Sequence, residues 1–207
     1  MRYAIIGGTG AFGRALAEKL HALGEDEVVI GSRDPSRASE IATIVGVDGA
    51  ANEEAVVGAD LVVLAVRSNA ALETARALAP ALGMTPLLSV ASDLTFTDHG
   101  VLPGRQTYSI AEHIARIVDA PVAAGLQTLP AIHLTQPEPP EEDALICGDD
   151  PRAKEPSLEL ADRIVRGRAI DAGPLANARA LEGMTAVILN VNRRYKAHAG
   201  LRLTGIS

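Results

Sequence analysis

Three glycines near the start of the chain have the spacing of a dinucleotide-binding turn. Gly8, Gly10 and Gly13 form the pattern G-x-G-x-x-G. In such a turn the first glycine permits the bend, the second admits a pyrophosphate, and the third lets the next helix pack on its strand. Unpaired N–H groups at the N-terminus of that helix then face the phosphates. Because the motif alone is a weak signal, a glycine turn without a ligand is the alternative.

The residues on both sides of the motif predict a βαβ unit. Residues 2–6 are an apolar run, and Phe12, Leu16 and Leu20 recur at the period of a helix. A second apolar run at residues 28–30 follows. Strand, glycine turn, helix and strand together form the first unit of a dinucleotide-binding fold, and this context favours a bound nucleotide. The candidate cofactor residues in the turn are Gly8, Thr9, Gly10, Ala11, Phe12 and Gly13.

The end of the second predicted strand indicates which dinucleotide binds. A site for NAD has an acidic residue there to accept hydrogen bonds from the ribose 2′-hydroxyl, whereas this chain has Ser32 and Arg33. A hydroxyl followed by guanidinium groups suits a 2′-phosphate. Arg37 is a further candidate, with a solvated helix face as the alternative. Asp34 before Pro35 is typical of a helix N-cap. The cofactor is therefore predicted to be NADP(H).

A later strand end supplies more candidates. Residues 60–66 form the clearest buried strand, and the polar residues after it lie where α/β sheets bind ligands. They either line the nicotinamide ribose or pyrophosphate, or form a loop that caps the next helix. The candidates in this region, with one just after the following strand, are Ala65, Val66, Arg67, Asn69 and Ala91.

Composition narrows the class of protein. Apolar residues make up 47% and aromatic residues 2%, with no Trp, which suits helices packed on a parallel sheet. A net charge of −7 argues against a nucleic-acid partner. A single Cys excludes an internal disulfide and fits a reducing compartment. Since the chain has neither a signal-peptide pattern nor about eighteen consecutive apolar residues, we expect a cytoplasmic protein without a membrane partner.

The remaining patterns predict an α/β fold, a Rossmann-type doubly wound, mostly parallel sheet with a small C-terminal α/β annex that ends in a long helix. Residues 1–121 are expected to form the NADP-binding domain and residues 122–207 a smaller substrate-side subdomain. Helices are predicted at residues 35–45, 52–58 with Asn52 as cap, 70–82, 109–118 with a Ser109–Glu112 capping box, 151–167 with a break or start at Pro156, and about 175–198. Strands are predicted at residues 86–90, 122–126, 145–147 and 169–171, and loops at 93–105 and 136–142.

The chain shows no acid–base machinery. No tyrosine has lysine four residues on, and the five histidines lack metal-ligand spacing, so no metal is expected. Cys147 lies in an apolar run and is predicted to be buried. Hydride transfer between two cofactors needs no such group, because the cofactors carry the chemistry and the protein aligns them.

Several segments resemble the F420-dependent NADP oxidoreductase family, in the same order and nearly end to end. They are Gly7-Gly8-Thr9-Gly10, Gly31-Ser32-Arg33, Thr128-Leu129-Pro130-Ala131, Cys147-Gly148-Asp149-Asp150 and Asp171-Ala172-Gly173-Pro174-Leu175. The resemblance implies a homodimer that exchanges a hydride between NADP(H) and the deazaflavin coenzyme F420, its co-substrate. Thr9, Ser32, Arg33 and Arg37 would hold NADP. The deazaflavin would lie against residues 127–132 and the C-terminal segment, with Gln127, Thr128, Leu129, Pro130 and Ile132 as candidates and no catalytic side chain.

Two departures from the family leave other functions open. Gln127 stands where the family commonly has histidine, and glutamine carries no charge at neutral pH. Residues 195–207 differ from the family's ending. The basic residues near this end of the chain, Arg193, Arg194, Lys196 and Arg202, either meet an anionic coenzyme tail or form a solvated helix end. The alternatives are an NADPH-dependent reductase of a flavin, quinone, metal chelate or imine, and a non-catalytic NADP(H)-binding sensor.

Overall fold

The computed structural model describes residues 1–206, and Ser207, the last residue of the predicted subdomain, lies outside the described residues. The strands are β1 (Arg2–Ile6), β2 (Glu27–Ser32), β3 (Asp48–Ala51), β4 (Leu61–Leu64), β5 (Leu87–Ser89), β6 (Leu94–Thr97), β7 (Gly100–Pro103), β8 (Val122–Gly125), β9 (Ala144–Gly148) and β10 (Ala169–Asp171). The α-helices are α1 (Ala11–Leu23), α2 (Pro35–Val45), α3 (Asn52–Ala55), α4 (Ser68–Leu82), α5 (Ile110–Ile114), α6 (Ala131–Leu134), α7 (Pro151–Ile164) and α8 (Ala178–Tyr195), the last preceded by a 3₁₀ turn at Leu175–Asn177.

An eight-stranded sheet runs through the molecule in the order β10-β9-β8-β5-β4-β1-β2-β3. The six strands from β8 to β3 are parallel, while β9 runs antiparallel to β8 and β10 runs parallel to β9. The chain winds outward from β1 to β3 and then returns to β4 on the other side of β1. This reversal is the topological switch point at which open α/β sheets bind ligands. The predicted Rossmann-type, mostly parallel sheet with a long C-terminal helix is confirmed.

Helices cover both faces of the sheet, which explains the scarcity of aromatic residues in its core. On one face, Ile5, Ile30 and Val63 pack with residues of α1, α2 and α7. On the other face, Ile6 and Val62 pack with residues of α3, α4, α5 and α8. Small aliphatic side chains fill the close spacing between helix and sheet layers. Strands from residues 122–206 extend the same sheet as those from residues 1–121, and the division into two parts stays a prediction.

Two local predictions concerning helix starts are confirmed. Asp34 caps α2, accepting hydrogen bonds at Oδ1 from the N–H groups of Ser36 and Arg37 at 3.0 and 3.3 Å. Ser109 and Glu112 form the predicted capping box at α5. Both motifs act within one turn of helix, so the local sequence is sufficient to predict them.

The prediction for α3 is wrong in its cap. The N-cap of α3 is Ala51, and the Asn52 side chain makes no capping hydrogen bond. The reason is β3, a strand that the sequence did not indicate because Asp48-Gly49-Ala50-Ala51 has no β-branched or aromatic residue. Pairing with β2 extends the chain up to Ala51 and places Asn52 inside the helix.

The prediction of a loop at residues 93–105 is also wrong. These residues contain the antiparallel hairpin β6–β7, which packs on α8. The Asn190 side chain of α8 accepts a hydrogen bond from the Val101 N–H at 2.9 Å and donates one to the Val101 carbonyl at 2.7 Å. Because this partner lies 89 residues away, the hairpin was not visible in the local pattern.

Two further details differ from the sequence-based expectation. Helix α7 runs through Pro156 without a break and ends at Ile164, with Asp150 accepting from the Arg152 N–H at its start. Its apolar face, including Leu160 and Ile164, is fully buried, and this packing outweighs the hydrogen bond that proline removes. The short helix α6 was not predicted, since four residues are too few to show a helical period.

Candidate functional site

The glycine turn after β1 is closed by backbone contacts that only glycine permits. Gly7, rather than Gly8 as the motif suggested, makes the tight turn, with φ of +84°. A methyl group on Gly7 would lie 2.7 Å from the Ala65 carbonyl oxygen, and one on Gly13 would lie 2.6 Å from the Gly7 carbonyl oxygen. The turn is therefore held between the ends of β1 and β4 and the first turn of α1.

The N-terminus of α1 faces this turn without a side-chain cap. Gly10 is the N-cap, forms no side-chain hydrogen bond and is exposed. The first turn holds no acidic residue. The first N–H groups of a helix have no partner within it, and with the helix dipole they attract anions. This end of a 13-residue helix can accept a pyrophosphate.

An open cleft of about 440 Å³ lies at the carboxyl ends of β1, β2 and β4. It brings together eight of the fourteen predicted cofactor residues: Thr9, Gly10, Ser32, Arg33, Ala65, Val66, Arg67 and Asn69. Sequence reasoning did not assign the other residues of the lining to the site, namely Gly7, Asn52, Ala70, Glu73 and Thr74. Asn52 was missed because β3 was missed, and the residues of α4 gave no signal beyond helical periodicity.

The six other predicted cofactor residues surround the cleft without lining it. Gly8 and Gly13 are buried beneath the turn, Ala11 is exposed, and Phe12 packs against the core. Ala91 is buried just after β5. Arg37 is exposed in the first turn of α2. The positions of Ala11 and Arg37 still allow contact with a ligand that extends out of the cleft.

The end of β2 presents a hydroxyl and a guanidinium group to the cleft. Ser32 Oγ accepts a hydrogen bond from the Asp34 N–H at 3.1 Å. The Asp34 carboxylate accepts hydrogen bonds from two N–H groups of α2, and this occupies it as a cap. Arg33 is exposed. An arrangement with a serine hydroxyl and an exposed arginine suits a phosphate rather than a free ribose 2′-hydroxyl.

The predicted substrate-side residues lie at the carboxyl end of β8, on the same sheet edge as the cleft. Leu126 has φ of +67°, which is unusual for a β-branched or bulky residue and directs the chain into the next turn. The side-chain Nε2 of Gln127 donates a hydrogen bond to the Ser89 carbonyl at 3.4 Å. The backbone carbonyl of Gln127 accepts one from Thr185 Oγ1 at 3.1 Å. This links the ends of β5 and β8 to α8.

The other four substrate-side residues differ in exposure. Thr128 and Leu129 are buried, Pro130 is the N-cap of α6, and Ile132 is 45% exposed. Within residues 1–206 the Thr128 hydroxyl has no hydrogen-bond partner. The strand order places β5 between β8 and β4. A single strand, β5, thus separates a ligand at the end of β8 from a ligand at the end of β4.

A buried carboxylate of α8 holds the segment that follows β5 and the first residues of α5. Glu182 of α8 is 3% exposed and accepts hydrogen bonds from the N–H groups of Asp93, Ile110 and Ala111 at 3.3, 2.9 and 3.4 Å. Burial raises the pKa of Glu182 to about 7, although the three N–H donors lower it. Sequence reasoning missed this residue, because a glutamate in a helix gives no sign of its burial.

Three further observations concern the single thiol, possible metal ligands and membrane-spanning helices. Cys147 is fully buried, as predicted, and burial raises the pKa of its thiol to about 12, which removes it as a nucleophile near neutral pH. Within residues 1–206 no group of three or more His, Cys, Asp or Glu side chains could hold a metal ion. Over the same residues, no helix combines the length and apolar character needed to cross a bilayer.

Comparison with known proteins identifies relatives along the whole chain. Residues 2–93 match the family described as NADP oxidoreductase, coenzyme F420-dependent. The F420-dependent NADP reductase of Methanothermobacter thermautotrophicus is 34% identical, over 100% of this chain and 96% of the relative. That of Methanocaldococcus jannaschii is 30% identical, over 100% and 99%. A solved structure from Arthrobacter sp. FB24, provisionally assigned as an F420-dependent NADP reductase, superimposes with a TM-score of 0.83 at 28% identity, over 99% of this chain and all of that one.

Proposed function

Since the chain belongs to the F420-dependent NADP reductase family, we propose that it transfers a hydride between NADP(H) and coenzyme F420. The observation that carries the proposal is the cleft at the switch point, where the glycine turn meets Ser32, Arg33 and the end of β4. In one direction NADPH gives a hydride, and the deazaflavin takes that hydride with a proton from solvent. The products are NADP⁺ and reduced F420.

NADP(H) would lie along the cleft with its pyrophosphate at the N-terminus of α1. Gly10 would allow the close approach of the backbone to the pyrophosphate, with Gly8 and Gly13 packed beneath the turn, and Ser32 and Arg33 would bind the 2′-phosphate with help from Arg37. The residues that line or flank the nicotinamide half would be Ala65, Val66, Arg67, Asn69 and Ala91. This assignment is supported by the eight predicted residues that the cleft brings together.

The deazaflavin would lie next to the nicotinamide, at the carboxyl ends of β5 and β8. The segment from Gln127 to Pro130, with Ile132 beyond it, is on this edge of the sheet. The hydrogen bonds of Gln127 to Ser89 and Thr185 hold the segment in place. Catalysis would come from alignment of two cofactors in contact, and it requires no proton-transferring side chain at the hydride itself.

A second candidate function is favoured by Gln127. A reductase that kept the NADP site but uses a flavin, quinone, metal chelate or imine would have no need of the histidine that this family commonly has. Its NADP(H) half would be the same as in the first proposal.

Absorbance after mixing the purified protein with NADPH and oxidised F420 tests the two functions. Bleaching of the deazaflavin band together with NADPH oxidation supports the first. NADPH binding without bleaching of F420, and turnover with a flavin, quinone, metal chelate or imine, would favour the second. NADPH binding without turnover on any of these acceptors would indicate a sensor.

We further propose that the protein is a homodimer. Val187, Val191 and Tyr195 recur every four residues on α8 and are 61%, 38% and 73% exposed. Phe96 and Leu102 of the neighbouring hairpin are 73% and 45% exposed. Apolar groups on one exposed stripe favour association with another protein surface. A cytoplasmic location likewise stays a proposal, consistent with one cysteine in 207 residues.

A further inference from the structure

Helix α4 presents two different faces at the carboxyl edge of the sheet. Ala70, Glu73 and Thr74, spaced three and four residues apart, line one wall of the cleft that also holds Arg33. Leu72 instead lines a separate cavity of about 460 Å³ on the side of α5. In the sheet, β5 lies on one side of β4, while β1 and β2 lie on the other. Glu73 is therefore on the β2 side of α4, at the end of the cleft where the adenosine half of NADP(H) would lie.

A carboxylate in this cleft requires a reason, because the proposed ligand is an anion. Glu73 is exposed, and it forms no ion pair within residues 1–206. Each phosphate of NADP(H) would repel the Glu73 carboxylate, and this repulsion weakens with distance. A carboxylate thus suits a part of the ligand that lies away from the phosphates and that donates hydrogen bonds.

We propose that Glu73 accepts a hydrogen bond from the 6-amino group of the adenine of NADP(H), an assignment that rests on the proposed function. In the adenosine half of the cofactor, the donors are the 3′-hydroxyl and this amino group. The 3′-hydroxyl is adjacent to the 2′-phosphate, which Ser32 and Arg33 would bind, whereas the amino group is the donor farthest from the phosphates. The small side chain of Ala70, three residues before Glu73 on the same wall of the cleft, leaves room for a planar base.

Calorimetric titration of wild type and Glu73→Ala tests the contact, with NADPH and with an NADPH analogue that carries purine in place of adenine. Because the two ligands have the same phosphates, the ratio of their affinities is independent of any general effect of the lost charge. Wild type should bind NADPH about 5- to 20-fold more tightly than the purine analogue, the scale of one hydrogen bond to a solvated charged group. Glu73→Ala should bind the two ligands within about twofold of each other.

Two control variants separate the contact from other effects of a substitution. Glu53→Ala removes an exposed glutamate of α3 that does not line the cleft, and it should keep the wild-type ratio. Arg33→Ala should weaken NADPH and the purine analogue equally, because both carry the 2′-phosphate. Since alanine is the best helix former and Glu73 is exposed, Glu73→Ala should unfold at the Tm of the wild type or above it.

The outcomes distinguish this contact from the proposed function. A wild-type ratio near one would overturn the contact, because the amino group would then have no acceptor in the protein. A ratio that stays at the wild-type value in Glu73→Ala would assign the amino group to another acceptor and overturn the role of Glu73. The expected ratios without any reduction of F420 would support the contact and contradict the proposed acceptor. A wild-type protein that binds neither ligand would overturn both proposals.

Discussion

At the scale of single residues, the proposed preference for NADP(H) over NAD(H) rests on two side chains at the end of β2. Ser32 and Arg33 stand where an acidic residue would accept from a ribose 2′-hydroxyl, and the carboxylate of the next residue, Asp34, is occupied as a helix cap. These residues were predicted from the sequence because the glycine motif fixes where the strand ends. Asn52 was not, since its position depends on a strand that its own residues do not favour.

Arg33→Ala should weaken NADPH binding by roughly 1.5–3 kcal/mol, the scale of a hydrogen bond to a charged group, and leave NADH affinity nearly unchanged. Fluorescence titration with both nucleotides measures the difference. Arg76→Ala, an exposed arginine of α4 that does not line the cleft, is the control. Equal losses for NADPH and NADH in Arg33→Ala would contradict the assignment of Arg33 to the phosphate.

Glu182 should make the free energy of unfolding depend on pH. Burial raises its pKa from an ordinary 4.5 to about 7, so between these values the folded state binds more protons than the unfolded state. The free energy of unfolding should therefore fall as pH rises from 4.5 to 7 and level off above, by up to about 3 kcal/mol through this group. Urea denaturation of wild type and Glu182→Gln at pH 5, 6, 7 and 8 measures this pH dependence of the free energy of unfolding.

Comparison of the two proteins isolates Glu182, because every other titratable group is present in both. The difference in free energy of unfolding between Glu182→Gln and wild type should grow in favour of the variant as pH rises. Glu155→Gln, an exposed glutamate of α7, should show the wild-type pH dependence. A pH-independent difference for Glu182→Gln would mean that the carboxylate has an ordinary pKa in the folded protein.

At the scale of elements, the local sequence predicted the features that are stabilised by contacts between residues close in sequence. The unit β1–α1–β2, the cap of α2 and the capping box of α5 depend on residues a few positions apart. The strand β3 and the hairpin β6–β7 depend on partners elsewhere: β2 for the first, and Asn190 for the second. Pro156 shows the reverse case, in which the packing of α7 overrides a local signal.

Asn190→Ala should loosen the hairpin on α8. The change removes both hydrogen bonds to Val101 and should lower the free energy of local opening by about 1–3 kcal/mol. Hydrogen exchange of the Val101 amide measures this directly, and the exchange should accelerate while that of β1 stays unchanged. Arg194→Ala, exposed on the same helix, is the control. Unchanged exchange at Val101 would mean that apolar packing alone holds the hairpin.

At the scale of the whole molecule, one sheet carries both proposed ligand regions along its carboxyl edge, from β3 to β8. The parallel topology could be predicted from alternating strand and helix patterns. The antiparallel direction of β9 could not be predicted, because the residues of a strand do not identify the strand it pairs with. The exposed stripe on α8 could not be predicted either, because the residues of a helix do not identify the surface it packs on. The site followed the same rule: the cleft residues of the glycine turn and the strand ends were predicted, with Asn69 at the start of α4, whereas Ala70, Glu73 and Thr74 further along that helix were not.

Val191→Asp should separate the proposed dimer into monomers, because a carboxylate in the middle of the α8 stripe would be buried without a partner. Sedimentation velocity should give a dimer for the wild type and a monomer for the variant. Val57→Asp, which changes a residue 64% exposed outside the stripe, should stay dimeric. A monomeric wild type would overturn the proposed homodimer.

The attachment of the hairpin to α8 has a consequence for biosynthesis. Val101 leaves the ribosome 89 residues before Asn190, and at about 5–20 residues per second this is a delay of roughly 5–18 s. During that interval the strands β6 and β7 lack the surface on which they pack. Until α8 has emerged, the hairpin segment is therefore accessible to proteases and chaperones that the packed helix excludes from the finished protein.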